Sequence, residues 1–584
     1  MLQVRHYREA LLIHLLVPSG PIPTVFDPDG VYPYPSYVET SRRPVLRELR
    51  FVQMENDHLR VTICPDLGGK VHSILHKASG QEVLFVPESV HPVRILPRMA
   101  FVPGGLEVSF PISHTPVQLE AVRCQSDRNQ DRVYVCCGER ELHSGMQWTV
   151  EYSLGEADPF LTQRTCFRNP TAEPHGWMSW SNAAVPARAD SEFHFPNGPV
   201  LVHGREMETI DWATRGPRRL SDVGRMTGYF WLAPDRAACG VFTPSLGMGL
   251  YHYADPGLTP GMKLWTYGLG KHEAWGRAAS LSGQSYIELQ GGPVRDQSVR
   301  SVLCPGATHT HVEFWLPSVT RLDEGSLRSA PALRAASEVP WFDWPERPGV
   351  RYWLSVIDAF AQGALTEAPP PPGPGQDLWP PRVLEGLGDA LGWLAATTNG
   401  ETQDGWRSQL GCWLAAAGQI ETALRELDGC DNDWARAVAA RLYLRATKEA
   451  SRAAEALRAI RNPAFAMHPQ VVVERDCALA ALGPATLRER ERWLQQGWNT
   501  PDEWVRERMA ALRLDQGRAA EAKAILEGTS FQLVHQRYAR TELWSRICQS
   551  LGCDEPVPDG FGEDDLAAFG AYRQTSFSFS LGDF

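Results

Sequence analysis

Three stretches of this chain gather carboxylate, imidazole, ammonium and aromatic groups at spacings a hydrophobic core has no use for. In Pro103-Gly104-Gly105-Leu106-Glu107 a glycine pair precedes a carboxylate, and Phe110-Pro111 leads on to His114. Paired glycines let backbone approach a ligand closely. In Tyr286-Ile287-Glu288-Leu289-Gln290 a period of two turns Ile287 and Leu289 toward a core, so Tyr286, Glu288 and Gln290 share the opposite face. The third stretch runs from His252 to Pro260-Gly261-Met262-Lys263-Leu264-Trp265, with Tyr267 and Gly268 after it, and Lys263 and Trp265 point the same way at strand spacing. A weaker cluster joins Trp177, Trp180 and Asn182. Two carboxylates, Glu107 and Glu288, suffice to cleave a glycosidic bond: one protonated acid at the leaving oxygen, and a second group that attacks the anomeric carbon or activates water. Indole and phenol faces stack on C–H-rich sugar faces, and amides and ammonium take the hydroxyls. Each stretch also has a plainer reading: a tight turn at Gly104-Gly105, an ordinary polar strand face at Tyr286–Gln290, a structural Lys263–Trp265 cation–π pair, and core tryptophans at 177 and 180.

The elements that must position these residues are strands. Leu59, Val61 and Ile63 alternate with Arg60 and Thr62; Met146, Trp148, Val150, Tyr152 and Leu154 alternate with Gln147, Thr149, Glu151 and Ser153; Val312, Phe314 and Leu316 alternate with His311, Glu313 and Trp315. Such alternation turns one face to a core and the other to solvent or a cleft. Turn formers at Asp66 to Gly69, Gly155 to Pro159, Asn197 to Pro199 and Pro256 to Gly261 punctuate the runs. Many short strands with almost no helical periodicity predict a large antiparallel sandwich over residues 46–320. Before it, prolines 21, 23, 33 and 35 predict an irregular arm over 1–45 lying across another domain.

After residue 320 the pattern changes. Pro369 to Pro372 followed by Gly373-Pro374-Gly375 reads as a polyproline-like linker within a connector of 321–382. Residues 383–553 are rich in Ala, Leu, Arg and Glu at helical spacing, and 554–584 form a tail. Leu410 to Leu427 and Leu512 to Glu527 each carry a glycine (Gly418, Gly517) between two helical runs, the pattern of tetratricopeptide-like helix hairpins. These repeats predict a buttress for the sandwich, or a surface for a protein partner or a second copy of the chain. Gly386-Leu387-Gly388 lacks the preceding strand of a dinucleotide loop.

Composition narrows the partners. A net charge of −12 disfavours nucleic acid and anionic membranes. Twenty tryptophans are core payload first and sugar platforms second. The twelve cysteines show no CxxC or zinc spacing, so no metal or cofactor is expected and the thiols point to a reducing, cytoplasmic location. The apolar run Ala10 to Val17 is too short to span a membrane.

Asn56-Asp57-His58-Leu59-Arg60-Val61 leading to Pro65-Asp66-Leu67-Gly68-Gly69 resembles the opening strands of galactose-mutarotase-like (aldose epimerase-like) sandwiches. Gly104-Gly105-Leu106-Glu107 through His114, Trp180-Ser181-Asn182-Ala183-Ala184, Pro260 to Trp265 and Tyr286 to Gln290 resemble the DUF5107 branch, whose members often carry C-terminal tetratricopeptide repeats. The resemblance implies an antiparallel supersandwich followed by a helical-repeat (TPR-like) domain. It also implies a role for Glu288 as the late-strand general base of mutarotases. The middle histidine that serves those enzymes as general acid is absent, since Trp180-Ser181-Asn182 stands there and the nearest imidazole, His175, lies in the preceding turn. Where this branch usually carries a histidine pair, Ile112-Ser113-His114 supplies one.

Three functions follow as expectations. The leading one is a glycoside hydrolase or transglycosidase with Glu107 as acid and Glu288 as base or nucleophile. In it Lys263 and His114 hold hydroxyls, Trp265 stacks, and Trp180, Asn182, His252, Tyr286 and Gln290 line the sugar site. Carboxyl separations of about 5 Å would mean retention and of about 6.5–9.5 Å inversion. The second is an aldose or sugar-phosphate epimerase acting at C1, with Glu288 as base and His114 or Lys263 as acid. The third is a non-catalytic glycan sensor whose helical repeats recruit a partner.

Overall fold

The computed structural model describes residues 2–558 apart from 27–30, 95–99, 113, 204–206, 225–226, 235, 237, 267–279, 296–299, 329–330, 332–337, 364–371, 374, 499–501 and 532–536. Tyr267, Gly268, Ser113, most of the proline run at 369–372 and the tail beyond 558 lie outside the described residues.

The alternating segments form two antiparallel sheets packed face to face, the supersandwich expected from the sequence. Among the described residues the larger sheet has twelve strands. They run in the order Gln3–Ile13, Val45–Glu55, Leu59–Cys64, Lys70–His76, Leu106–Val108, Ser181–Pro186, Tyr286–Gly292, Gly261–Thr266, Thr227–Trp231, Pro199–His203, Met207–Asp211, with Gln81–Glu82 beside Lys70–His76. The smaller sheet has eight strands and centres on Leu161–Arg168, Thr308–Ser318 and Met248–Ala254. Val61, Ile63, Leu106, Ala183, Leu264, Ile287 and Leu289 face inward from the first sheet, against Val135, Trp148, Val150, Tyr152, Leu250 and Trp315 of the second. Burying such a layer contributes about 25 cal/mol per Å² of apolar surface.

Two expectations are corrected here. Residues 3–13, read as irregular, pair along their whole length with Val45–Glu55 as the edge strand of the larger sheet. Only the stretches 19–26 and 31–36 behave as an arm, and they pack against the helical part of the chain as expected. In Thr308–Ser318 the facing is the reverse of a simple apolar-in pattern. Phe314 packs outward with Tyr251, Tyr253 and Leu327, with Val312 and Leu316 beside it. His311, Glu313 and Trp315 turn into the sandwich and are fully buried. Glu313 is stable there because its oxygens are saturated: His252 Nε2 lies 2.8 Å from one, while Gln163 Nε2 and Ser181 Oγ each donate at 2.6 Å to the other. Burial pushes this carboxyl up, but the hydrogen bonds and charges of His252 and His311 outweigh it and hold Glu313 far below the usual carboxylate range.

A helix at Pro348–Ala361 falls inside the connector expected over 321–382, and the helical part proper begins with Leu387–Thr397, close to the expected boundary at 383. Helices Gly400–Ala416 and Ile420–Asp428, and likewise Glu503–Asp515 and Ala519–Glu527, form the two hairpins anticipated from the sequence. Gly418 (φ 77°) and Gly517 (φ 74°) turn the chain in the left-handed region that favours glycine.

The Glu313 network generates a stability prediction. Glu313→Gln leaves two buried imidazoles without their carboxylate and should lower unfolding stability by about 3 kcal/mol in urea melts. Because the folded-state pKa is depressed, the carboxylate's contribution is present above its ordinary pKa and vanishes as pH falls. The difference between wild type and variant should therefore shrink in acid.

Candidate active site

The outward face of the larger sheet carries most of the residues singled out above, brought into one row by strand register. Glu107 lies opposite Asn182, Asn182 opposite Gln290, Gln290 opposite Lys263, and Lys263 opposite Phe230. Glu288 is two residues from Gln290 on the same strand face, opposite Trp265. Two strand spacings and a two-residue offset separate the Glu107 and Glu288 Cα atoms by about 12 Å, so long side chains can converge over Asn182 and Ala184. Neither carboxyl points into bulk water: Glu107 is 6% and Glu288 8% exposed.

Glu107 is gripped by the loop that follows it. His114 Nδ1 sits 3.2 Å from one carboxylate oxygen; the Thr115 N–H (3.2 Å) and Gln118 Nε2 (2.7 Å) donate to the other. Gln118 is itself pinned by the Val102 N–H at 2.6 Å. His114 adopts a left-handed backbone (φ 60°), which costs a non-glycine residue about 1 kcal/mol and persists where neighbours over-determine it. Burial pushes the Glu107 carboxyl up, yet His114, the Lys70 ammonium and the Thr115 N–H outweigh it and the net displacement is downward. Glu288 moves the other way. Burial raises it and the Glu107 charge adds to that, against the opposing pull of His114 and Lys263. The expected role of Glu107 as a protonated acid therefore does not match its surroundings, since its oxygens are occupied and its charge is favoured.

Lys263 is 5% exposed, with its ammonium 4.9 Å from the Phe230 ring rather than paired with Trp265. Burial lowers it to about 8 against the raising pull of Glu288. Gln290 donates Nε2 to Glu288, and its Oε1, like the Oδ1 of Asn182, is buried with no hydrogen-bond partner among the described residues. Buried acceptors left without a donor are uncommon, and these two sit on neighbouring strands of the same row. Trp180 lies on the same face against Gly261 and Gly292, walled by Phe230 and Val294. Tyr286 is buried and stacks on Phe85 at 5.1 Å. Trp265, opposite Glu288, has its ring 6.5 Å from that of Tyr286.

The structure does not bring His252 to this face. It projects from the smaller sheet into the sandwich, under Gly291, where it serves Glu313. Gly104 and Gly105 (φ 85° and 71°) are crowded by the protein's own Phe85 and Val71 carbonyls, so what approaches their backbone is protein, not ligand. Lys70 was missed by sequence reading. It is buried beside Gly105, donates to Val102 O at 2.9 Å, is lowered to about 8 by burial, and feels Glu107 and Glu288. A lysine opening an apolar strand right after Gly68-Gly69 was the available signal.

Residues 26–318 match the family described as Domain of unknown function (DUF5107). The chain belongs to the DUF5107 family. A second family match, described as a C-terminal domain, covers residues 353–547. A TPR-domain containing protein from Parabacteroides distasonis ATCC 8503 is similar at 45% identity over 97% of this chain and 98% of its own, with a TM-score of 0.92. The Slr1438 protein from Synechocystis sp. PCC 6803 aligns with 46% of this chain and 96% of its own (14% identity, TM-score 0.37). A galactose mutarotase-like protein from Lactobacillus casei ATCC 334 aligns with 46% and 100% (12% identity, TM-score 0.35). Among the described residues of the DUF5107 chain no group of three or more His, Cys, Asp or Glu is arranged to hold a metal ion, and no helix is long and apolar enough to cross a membrane.

The opposed shifts are measurable. In carboxyl-detected NMR titrations of the DUF5107 protein, Glu107 should titrate below and Glu288 above the ordinary glutamate range. His114→Ala should raise Glu107, and Lys263→Met should raise Glu288 further.

Proposed function

We propose that the DUF5107 site catalyses proton transfer at the C1 hydroxyl and ring oxygen of a free aldose, an aldose 1-epimerase-type reaction, in preference to glycoside hydrolysis. The observation that carries this reading is the engagement of both Glu107 oxygens by His114, Thr115 and Gln118. A glycosidase acid in that position needs a protonated, available carboxyl; a carboxylate holding an imidazole is the orienting half of a carboxylate–histidine pair.

In the proposed mechanism Glu288 takes the proton from the C1 hydroxyl while the ring oxygen receives one from the His114 imidazolium, and the C1–O5 bond breaks to give the open-chain aldehyde. Rotation about C1–C2 and reclosure by the reverse transfers deliver the other anomer. The raised pKa of Glu288 moves a carboxylate toward the working pH, where a general base is most effective. Glu107 keeps Nδ1 of His114 engaged, which fixes the ring. Lys263, Asn182 and Gln290 bind hydroxyls, and Trp265 offers an apolar face to the ring.

The test is polarimetry on freshly dissolved α-glucose and α-galactose. The wild-type chain should accelerate the optical decay, Glu288→Gln and His114→Ala should each slow it by about 10²-fold or more, and Glu107→Gln by about 10–100-fold through loss of orientation. Oligosaccharides should yield no new reducing ends. Release of reducing ends without faster mutarotation would overturn the proposal in favour of a hydrolase.

A further inference from the structure

The arm between the first strands inserts an extended segment into the helical domain. There its backbone is read group by group. Trp434 Nε1 donates to Pro21 O at 2.7 Å; Gln470 accepts from the Ile22 N–H at 2.8 Å and donates to Ile22 O at 3.2 Å; Arg441 Nη1 donates to Pro23 O at 2.8 Å. Prolines 21 and 23 have no N–H, so every backbone polar group of Pro21-Ile22-Pro23 is accounted for. Ile22 and Val25 are buried within a core cluster otherwise built from residues 379–479. Gly20 lies so close to His468 that a Cβ would sit 2.2 Å from the ring.

The receiving groups form a designed surface. Trp434 and Arg441 are seven residues apart on helix Asp433–Arg445 and so share one face; Gln470 and Glu474 share a face of Pro469–Ala481. Glu474 holds both Arg441 and Arg445, which aims the guanidinium at the peptide. Arg441, Gln470 and Glu474 are each under 5% exposed. Burying that much polarity at a helix interface is costly without an occupant to satisfy it.

We propose that the helical repeats are a peptide-reading module whose groove is filled in cis by Gly20–Val25 and accepts in trans an extended segment of the same chemistry, an aliphatic residue flanked by prolines with a second aliphatic residue three positions on. The prolines matter because the groove offers an acceptor for one N–H, that of Ile22. Where extended peptides are recognised, hydrogen bonds to their main chain give affinity and pockets for their side chains give specificity. The chain's own arm is thus a competitor that keeps the module closed.

The test measures anisotropy of a fluorescein-labelled peptide of residues 18–26 added to the full chain. Wild type, its groove filled by its own arm, should bind it at least tenfold more weakly than the arm variants. Ile22→Asp with Val25→Asp, or separately Gly20→Val, should expel the arm and bind the peptide, and a further Gln470→Leu should lower that affinity at least tenfold. A natively folded arm variant, judged by circular dichroism, that leaves the peptide free would overturn the proposal, as would binding indifferent to Gln470→Leu. Should both arm variants fail to fold, a photoreactive form of the peptide is incubated with wild type. Cross-links to Asp433–Arg445 or Pro469–Ala481 that unlabelled peptide suppresses support the proposal, and their absence overturns it.

Discussion

The antiparallel register of four adjacent strands is the constraint on which everything functional rests. Glu107, Asn182, Gln290 and Lys263 stand side by side only because Leu106, Ala183, Leu289 and Leu264 occupy the core beneath them. Side chains alternate with a period of two, so a one-residue slip of any strand would send a charged group inward and an aliphatic one outward. Several kcal/mol would be lost in each exchange. The buried network around Glu313 works from below: Ser181, the residue before Asn182, donates to it, and this anchors the strand that joins the two carboxylate strands.

Within that row the charges sort themselves by partner. Two carboxylates, two ammoniums and an imidazole share a buried surface, and burial alone would push both carboxyls up and both lysines down. Glu107 escapes because three donors and Lys70 surround it; Glu288 does not, because among the described residues Gln290 is the one hydrogen-bond donor beside it. Such a pair of like groups with pKa values driven apart is how one site supplies a fixed charge and a mobile proton together.

The two halves of the chain are tied by polar as well as apolar contacts. Tyr32 donates to Pro380 O, Trp379 N–H to Pro33 O, and Arg347 bridges Glu139 of the sandwich and Glu120. Thr115 and Gln118, which hold Glu107, line a cavity of about 610 Å³ shared with Tyr34, Arg347 and Gln376. The loop that shapes the site therefore abuts the interface with the arm and the helices.

The sandwich, the helix hairpins at Gly418 and Gly517, and the outward set Tyr286, Glu288 and Gln290 were legible from local periodicity, since alternation and turn glycines are properties of neighbouring residues. So was membership of the row for Glu107, Asn182, Lys263 and Trp265, through motif and strand phase. The inward turn of His252 and Glu313 was not legible, because a polar residue in a strand is assigned outward unless its distant partners, Gln163 and Ser181, are known. Nor was the role of Glu107: its ionisation depends on His114, Thr115, Gln118 and Lys70 meeting it in space. A strand's phase is set by its own residues, whereas a buried group's pKa and orientation are set by whatever the fold brings within a few ångströms of it.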